Sequence, residues 1–101
     1  MIIKKREHTF FLNYKNIKFK LLEHNFGNVS LERLLKLKSE IELYNFFLNN
    51  REKYSKVCDV GANVGMHSIF LSKIFSKVTA YEPYSLHLKI LRNNKKISKL
   101  S

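Results

Sequence analysis

The segment 57–101 constrains the fold most strongly, because strand-like and helix-like patterns alternate in it around a glycine-containing loop. A short apolar run that ends at Asp59 is followed by Gly61-Ala62-Asn63-Val64-Gly65. Apolar residues then recur at helical spacing: Met66, Ile69, Phe70 and Ile74. This spacing predicts a helix that buries one face.

The same alternation continues after this helix. A short run rich in β-formers ends at Tyr81, and Pro83 closes it. Ser85 is predicted to cap a last helix whose apolar residues (Leu86, Ile90 and Leu91) face inward. Strand, helix, strand and helix in this order predict an α/β fold with parallel strands joined by crossover helices.

The part before residue 57 has a different pattern. Apolar and polar residues alternate from Phe10 to Tyr14 and again from Ile17 to Leu21, with Lys15-Asn16 between them. This predicts a β-hairpin. Residues 31–50 are predicted to be helical, with candidate caps at Ser30 and Ser39 and a capping box from Ser39 to Glu42. We therefore divide the chain into 1–56, an N-terminal hairpin and lead-in helix, and 57–101.

Composition limits the classes of protein that the chain can belong to. It has 101 residues, 45% of them hydrophobic, and a formal net charge of +11, which indicates one folded domain. The lysines are scattered along the sequence, so we expect a solvated surface in preference to a nucleic-acid site. A single cysteine excludes an intrachain disulfide. No apolar run approaches membrane-spanning length, and a cytoplasmic protein is expected.

Two carboxylates carry the functional information in segment 57–101. Asp59 and Glu82 are its only acidic residues, against seven lysines and arginines. A glycine loop between a strand and a helix lets backbone approach a ligand closely. Asn63 replaces the second glycine of a dinucleotide fingerprint, and Asp59 is better suited to a cationic ligand than to a pyrophosphate. Glu82 lies 21 residues after Gly61, a spacing typical of a carboxylate that binds ribose hydroxyls.

These residues resemble a known family. Asp59-Val60-Gly61-Ala62-Asn63-Val64-Gly65, followed by Glu82-Pro83, is similar to the loop and second-strand motifs of the FkbM family of S-adenosylmethionine-dependent methyltransferases. The resemblance extends over about residues 40–94. It implies the first two βα units of a Rossmann-like class I methyltransferase fold, preceded by the hairpin and helix. The cofactor-binding residues that it implies are Asp59, Gly61, Ala62, Asn63, Gly65 and Glu82.

The resemblance also implies a reaction and its limits. The reaction that it implies is transfer of the cofactor methyl group to an oxygen, in preference to a nitrogen, of a small molecule or glycan. The later strands that bind the acceptor have no counterpart here, and no catalytic residue is assigned. We therefore expect a truncated cofactor-binding portion that is inactive alone. It is either a truncated or split gene product or a chain that a second polypeptide completes.

Two other function classes stay open at this point. A basic module that binds nucleic acid without catalysis would show salt-dependent binding to oligonucleotides. A fragment of a dinucleotide-binding oxidoreductase is disfavoured by Asn63 and Asp59. Calorimetry with S-adenosylhomocysteine and with NAD distinguishes these classes.

Several other residues have simpler structural interpretations. His67, in the first turn of the helix, is predicted to pack or cap, and Asn93 and Asn94 are predicted to be helix-end residues in preference to ligands. Cys58 is predicted to be a small core residue. A core role is also predicted for four aromatic residues: Phe46, Phe47, Phe70 and Phe75. No spacing of histidine, cysteine or carboxylate residues suggests a metal site.

Overall fold

A three-stranded antiparallel sheet forms the N-terminal part of the protein. The computed structural model describes residues 1–23, 41–63 and 65–97. Strands β1 (Ile2–Arg6), β2 (Thr9–Tyr14) and β3 (Ile17–Leu22) pair in chain order. Lys15 and Asn16 have φ angles of 50° and 69°, as a two-residue type I′ hairpin turn requires. The predicted hairpin is confirmed, and β1 adds a strand that the sequence analysis missed because Lys4-Lys5-Arg6 interrupts any alternation.

The inner face of this sheet supplies much of the hydrophobic core. Alternate side chains of β2 and β3 point to it, and they are almost fully buried: Phe10, Leu12, Tyr14, Phe19 and Leu21. They share one core cluster with side chains from the rest of the chain, including Tyr44, Phe70 and Ile90.

Two parallel strands form a second sheet. Strand β4 (Lys56–Val60) pairs with β5 (Lys77–Tyr81) in parallel, with Asp59 opposite Ala80. Helix α2 (Met66–Ser72) connects them and packs against both β5 and β3. The predicted strand–helix–strand crossover is confirmed. Helix α2 buries more than one face because sheets lie on two of its sides: its residues 66 and 68–71 are all buried. Ile74 lies beyond its end.

The other two helices complete a mixed α/β fold. Helix α1 (Ile41–Asn49) lies within the range 31–50 that was predicted to be helical; residues 31–40 of that range, and with them the cap candidates Ser30 and Ser39, lie outside the described residues. Helix α3 (Ser85–Ile97) packs against β3. Its first backbone bond runs from the Leu88 N–H to the Tyr84 carbonyl at 3.0 Å. Ser85 is therefore inside the first turn and not the cap, because Tyr84 already provides the first acceptor.

Two core predictions are wrong. Cys58 is exposed, because side chains alternate along β4: Val57 and Asp59 are half-buried, whereas Cys58 and Val60 lie on the opposite, exposed face. Phe46 is 59% exposed, because α1 buries only the stripe that contains Tyr44 and Leu48. Phe70 and Phe75 are buried as predicted, and Phe47 is half-buried.

None of the helices in the described ranges is long and apolar enough to cross a membrane.

Candidate functional site

The loop that follows β4 is fastened to the carboxyl end of β5. The backbone N–H groups of Gly61 and Ala62 both donate to the Tyr81 carbonyl, at 2.8 and 3.0 Å. Because β4 and β5 run parallel, their carboxyl ends meet at one edge of the sheet, where ligands bind in open α/β sheets. The two predicted acids flank this edge: Asp59 lies near the end of β4, and Glu82 follows β5 directly.

The loop has an unusual backbone at three positions. Gly61, Asn63 and Gly65 have φ angles of 75°, 57° and 92°, a left-handed region that glycine and asparagine tolerate best. The two glycines have different surroundings. A Cβ on Gly65 would lie 3.0 Å from Leu91 Cγ, whereas a Cβ on Gly61 would meet no atom within 4 Å. Gly65 therefore allows close packing of the loop against α3, whereas the space beside Gly61 is open.

Glu82 holds the loop in this conformation. Its Oε1 accepts the Asn63 N–H at 2.7 Å, and its Oε2 accepts the Tyr84 N–H at 3.0 Å. His87 Nδ1 lies 3.9 Å from Oε2, and the Glu82 side chain is only 8% exposed. The hydrogen bonds from Tyr84 and Asn63 hold the pKa of Glu82 below its ordinary value. Glu82 thus joins the two segments that follow β4 and β5, and any contact with ribose hydroxyls would use its remaining lone pairs.

Asn63 has a buried acceptor that no described residue uses. Its backbone N–H is held by Glu82. Its side-chain Oδ1 is shielded from solvent and accepts no hydrogen bond from any residue of the described ranges. A buried polar atom without a partner costs about 1–3 kcal/mol, and a functional role is one of the explanations for such an atom in a native protein.

Asp59 points toward helix α2. Its Oδ2 accepts a hydrogen bond from the Ser68 hydroxyl at 2.5 Å, and the residue is half-buried. An ionised carboxylate can accept about four hydrogen bonds, so acceptor capacity remains. Nothing in the sequence singled out Ser68, because a serine in the first turns of a helix is common.

An aromatic groove of about 500 Å³ adjoins Asp59. Helix α1, the following connector, strand β4 and helix α2 line it, and its apolar walls include Phe46, Phe47 and Tyr54. His67 also lines the groove, and its ring centroid lies 5.5 Å from that of Tyr44. The sequence analysis assigned Phe46 to the core and passed over Tyr54. Their position beside Asp59 depends on the packing of α1 against α2, which no local pattern encodes.

The other predicted residues lie apart from this groove. Ala62 is buried in the loop, where its carbonyl accepts the Gly65 N–H at 3.0 Å. Asn94 is fully buried, and its Oδ1 accepts the Leu22 N–H at 2.8 Å, so it joins α3 to β3. Asn93 is exposed on the same helix. Among the predicted residues, Asp59, Gly61 and Asn63 lie close together in the sequence. Asp59 and Asn63 have acceptor atoms that a ligand can use, and Gly61 leaves room for one.

Comparison of the chain with protein-family models, with curated proteins and with solved structures gives no match. The functional interpretation therefore depends on the residues and their geometry.

Proposed function

We propose that the loop 61–65 and Asp59 bind S-adenosyl-L-methionine, and that the chain is the cofactor-binding part of a Rossmann-like methyltransferase similar to the FkbM family. When bound, this cofactor supplies a methyl group on a sulfonium. The proposed acceptor is an oxygen of a small molecule or glycan. No residue of the chain is assigned to the transfer step itself.

The buried amide oxygen of Asn63 is the observation that supports this proposal best. Among the residues that the structure describes, it has no donor, and it lies in a left-handed loop at the carboxyl ends of two parallel strands. The ammonium and ribose hydroxyl groups of the cofactor are donors that such an atom can bind. A ligand donor there would remove the cost of burying the oxygen.

The charge at this edge favours the same class of ligand. Asp59 is the next-to-last residue of β4 and is half-buried, so its carboxylate attracts a cation and repels a pyrophosphate. A dinucleotide cofactor would bring its phosphates to the loop and to this acid. A cationic methyl donor would instead bring opposite charge to Asp59, and the adjacent aromatic groove can exclude water from its apolar parts.

Within this site Glu82 is a positioning residue. It holds the Asn63 backbone at 2.7 Å and thereby fixes where the Asn63 side chain lies. In the described ranges β4 and β5 pair only with each other, and an unpaired strand edge can accept another strand. We propose that a second polypeptide pairs there and contributes the acceptor site.

Isothermal titration calorimetry with S-adenosylhomocysteine and with NAD tests the proposal. We expect binding of the former and none of the latter. An Asp59→Asn substitution keeps the shape of the side chain and an acceptor for Ser68, but removes the charge. It should weaken binding about tenfold or more, since a charge-assisted hydrogen bond contributes about 1.5–3 kcal/mol.

A matched control is Glu52→Gln, which removes one negative charge from an exposed residue outside the site. It should leave the affinity within about twofold of the parent. Equal affinities for the two ligands, or an Asp59→Asn variant that binds like the control, would exclude the proposed site.

A further inference from the structure

A basic cleft on the antiparallel sheet is separate from the loop 61–65. The cleft has a volume of about 450 Å³. Four of the residues that line it are lysines: Lys4, Lys18, Lys20 and Lys73. No Asp or Glu is among its described lining residues. Lys73 follows the C-terminal end of α2, whereas the loop precedes the N-terminal end of that helix.

These lysines are far apart in sequence, and the strand register brings three of them together. Phe11 lies directly opposite Lys4 on one neighbouring strand and opposite Lys20 on the other. Asn13 lies opposite Lys18 in the adjacent row. Residues directly opposite one another share a face of the sheet. The outer face therefore has an aromatic ring between two ammonium groups, with an amide and a third ammonium beside them.

The aromatic ring at the centre is accessible. Phe11 is 36% exposed, although most phenylalanines of the described chain are more deeply buried. Lys20 Nζ lies 5.4 Å from the centre of its ring.

We infer that this cleft binds single-stranded nucleic acid, with phosphates at Lys4, Lys18 and Lys73 and a base stacked on Phe11. Lysines that neutralise phosphates release counterions and thereby drive binding. Exposed aromatic rings on sheet surfaces stack unpaired bases. The Asn13 Oδ1 accepts the Asn16 N–H at 3.0 Å, so its side-chain NH2 is the group that can donate to a base edge. Bases inside a duplex are already stacked and cannot reach Phe11, so the unpaired form is favoured.

This inference does not depend on the proposed methyl-donor site. Variants in the cleft should leave the affinity for S-adenosylhomocysteine unchanged. The two proposals can therefore fail separately.

Fluorescence anisotropy with a labelled mixed-sequence DNA strand of about 12 nucleotides, and with its RNA equivalent, tests the inference. The affinity of the parent protein should fall steeply as salt rises. The triple variant Lys4→Gln, Lys18→Gln, Lys73→Gln should bind on the order of tenfold or more weakly. Its slope of log affinity against log salt should be smaller by about 2, since each phosphate contact on a single strand contributes about 0.7.

The matched control removes the same charge elsewhere. Lys53, Lys89 and Lys96 are exposed and lie outside the cleft, so a Lys53→Gln, Lys89→Gln, Lys96→Gln variant has the same net charge as the cleft variant. It should keep most of the affinity and slope. If both triple variants bind the strand equally weakly, the strand is attracted by the overall net charge of the protein. That result would overturn the inference that the cleft is the binding site.

A second pair of variants tests the aromatic contact. Phe11→Leu should weaken binding about tenfold with an unchanged salt slope, because stacking is independent of counterions. Phe46→Leu, at another exposed phenylalanine, should have no effect. A Phe11→Leu variant that binds like the parent, or tighter binding of phosphatidylglycerol vesicles than of the strand, would overturn the inference. The second result would indicate an anionic membrane surface.

Discussion

The Glu82 carboxylate accepts the backbone N–H of Asn63 at 2.7 Å. This contact spans the two strand ends and makes Glu82 a structural support of the loop. The sequence motif predicted a ribose ligand at this position, and the described contacts show what the same carboxylate does for the protein itself.

The stability of the loop should therefore depend on pH through Glu82. Its folded pKa lies below the ordinary value of 4.5 because Tyr84 and Asn63 donate to the ionised form. Its contribution is thus present above pH 4.5 and is lost as pH falls through the folded pKa. At pH 7 we expect the parent to have a higher melting temperature than a Glu82→Gln variant. The difference between the two melting temperatures should shrink below pH 4.5. Thermal unfolding by circular dichroism between pH 7 and 3 measures this, and a difference independent of pH would contradict it.

Asn63 should show opposite effects on stability and binding. An Asn63→Gly substitution keeps the left-handed backbone at φ 57° and removes the buried oxygen to which no described residue donates. Removing that oxygen gains about 1–3 kcal/mol, which offsets the roughly 0.5–1 kcal/mol entropic cost of glycine. We expect the melting temperature to be maintained or raised, and the affinity for S-adenosylhomocysteine to fall about tenfold.

The control for this substitution is Asn16→Gly, because Asn16 is also left-handed, at φ 69°, but lies in the exposed hairpin turn. It should keep the parent affinity in calorimetry. A parallel loss of affinity in both variants would contradict a ligand contact at Asn63.

The two left-handed glycines of the loop should respond differently to alanine. Each substitution costs about 1–2 kcal/mol of backbone strain. Gly65→Ala adds a close contact with Leu91, whereas the new Cβ of Gly61→Ala enters open space. In urea unfolding we expect the Gly65 variant to be the less stable of the two. In calorimetry we expect the Gly61 variant to lose affinity for S-adenosylhomocysteine while it stays folded. Equal stabilities would contradict the packing role of Gly65.

The two adjacent asparagines of α3 should differ sharply. Asn94→Ala removes a fully buried side chain and leaves the partly buried Leu22 N–H without its acceptor, which costs about 1–3 kcal/mol. Asn93→Ala changes an exposed residue and should alter stability by less than about 0.5 kcal/mol. Urea unfolding measures both. Similar stabilities of the two variants would show that the contact between α3 and β3 contributes little.

The sequence predicted the helices and strands better than it predicted which of their side chains are buried. The Lys15-Asn16 turn and the alternation beside it identified the hairpin, because turn chemistry and pleat are local properties. Cys58 and Phe46 were misplaced in the core because burial depends on which faces other elements cover. Strand β4 has one covered face, and α1 buries a narrow stripe.

The sequence by itself determined where the left-handed loop lies and that acids flank it, since glycine, asparagine and carboxylate residues act through local backbone and charge. Only the tertiary structure decided that Glu82 binds the loop backbone, and that lysines scattered over residues 4–73 meet in one cleft around Phe11. The physical reason is that strand register and helix packing set distances between residues far apart in sequence. A charge pattern read along the chain contains no such distances.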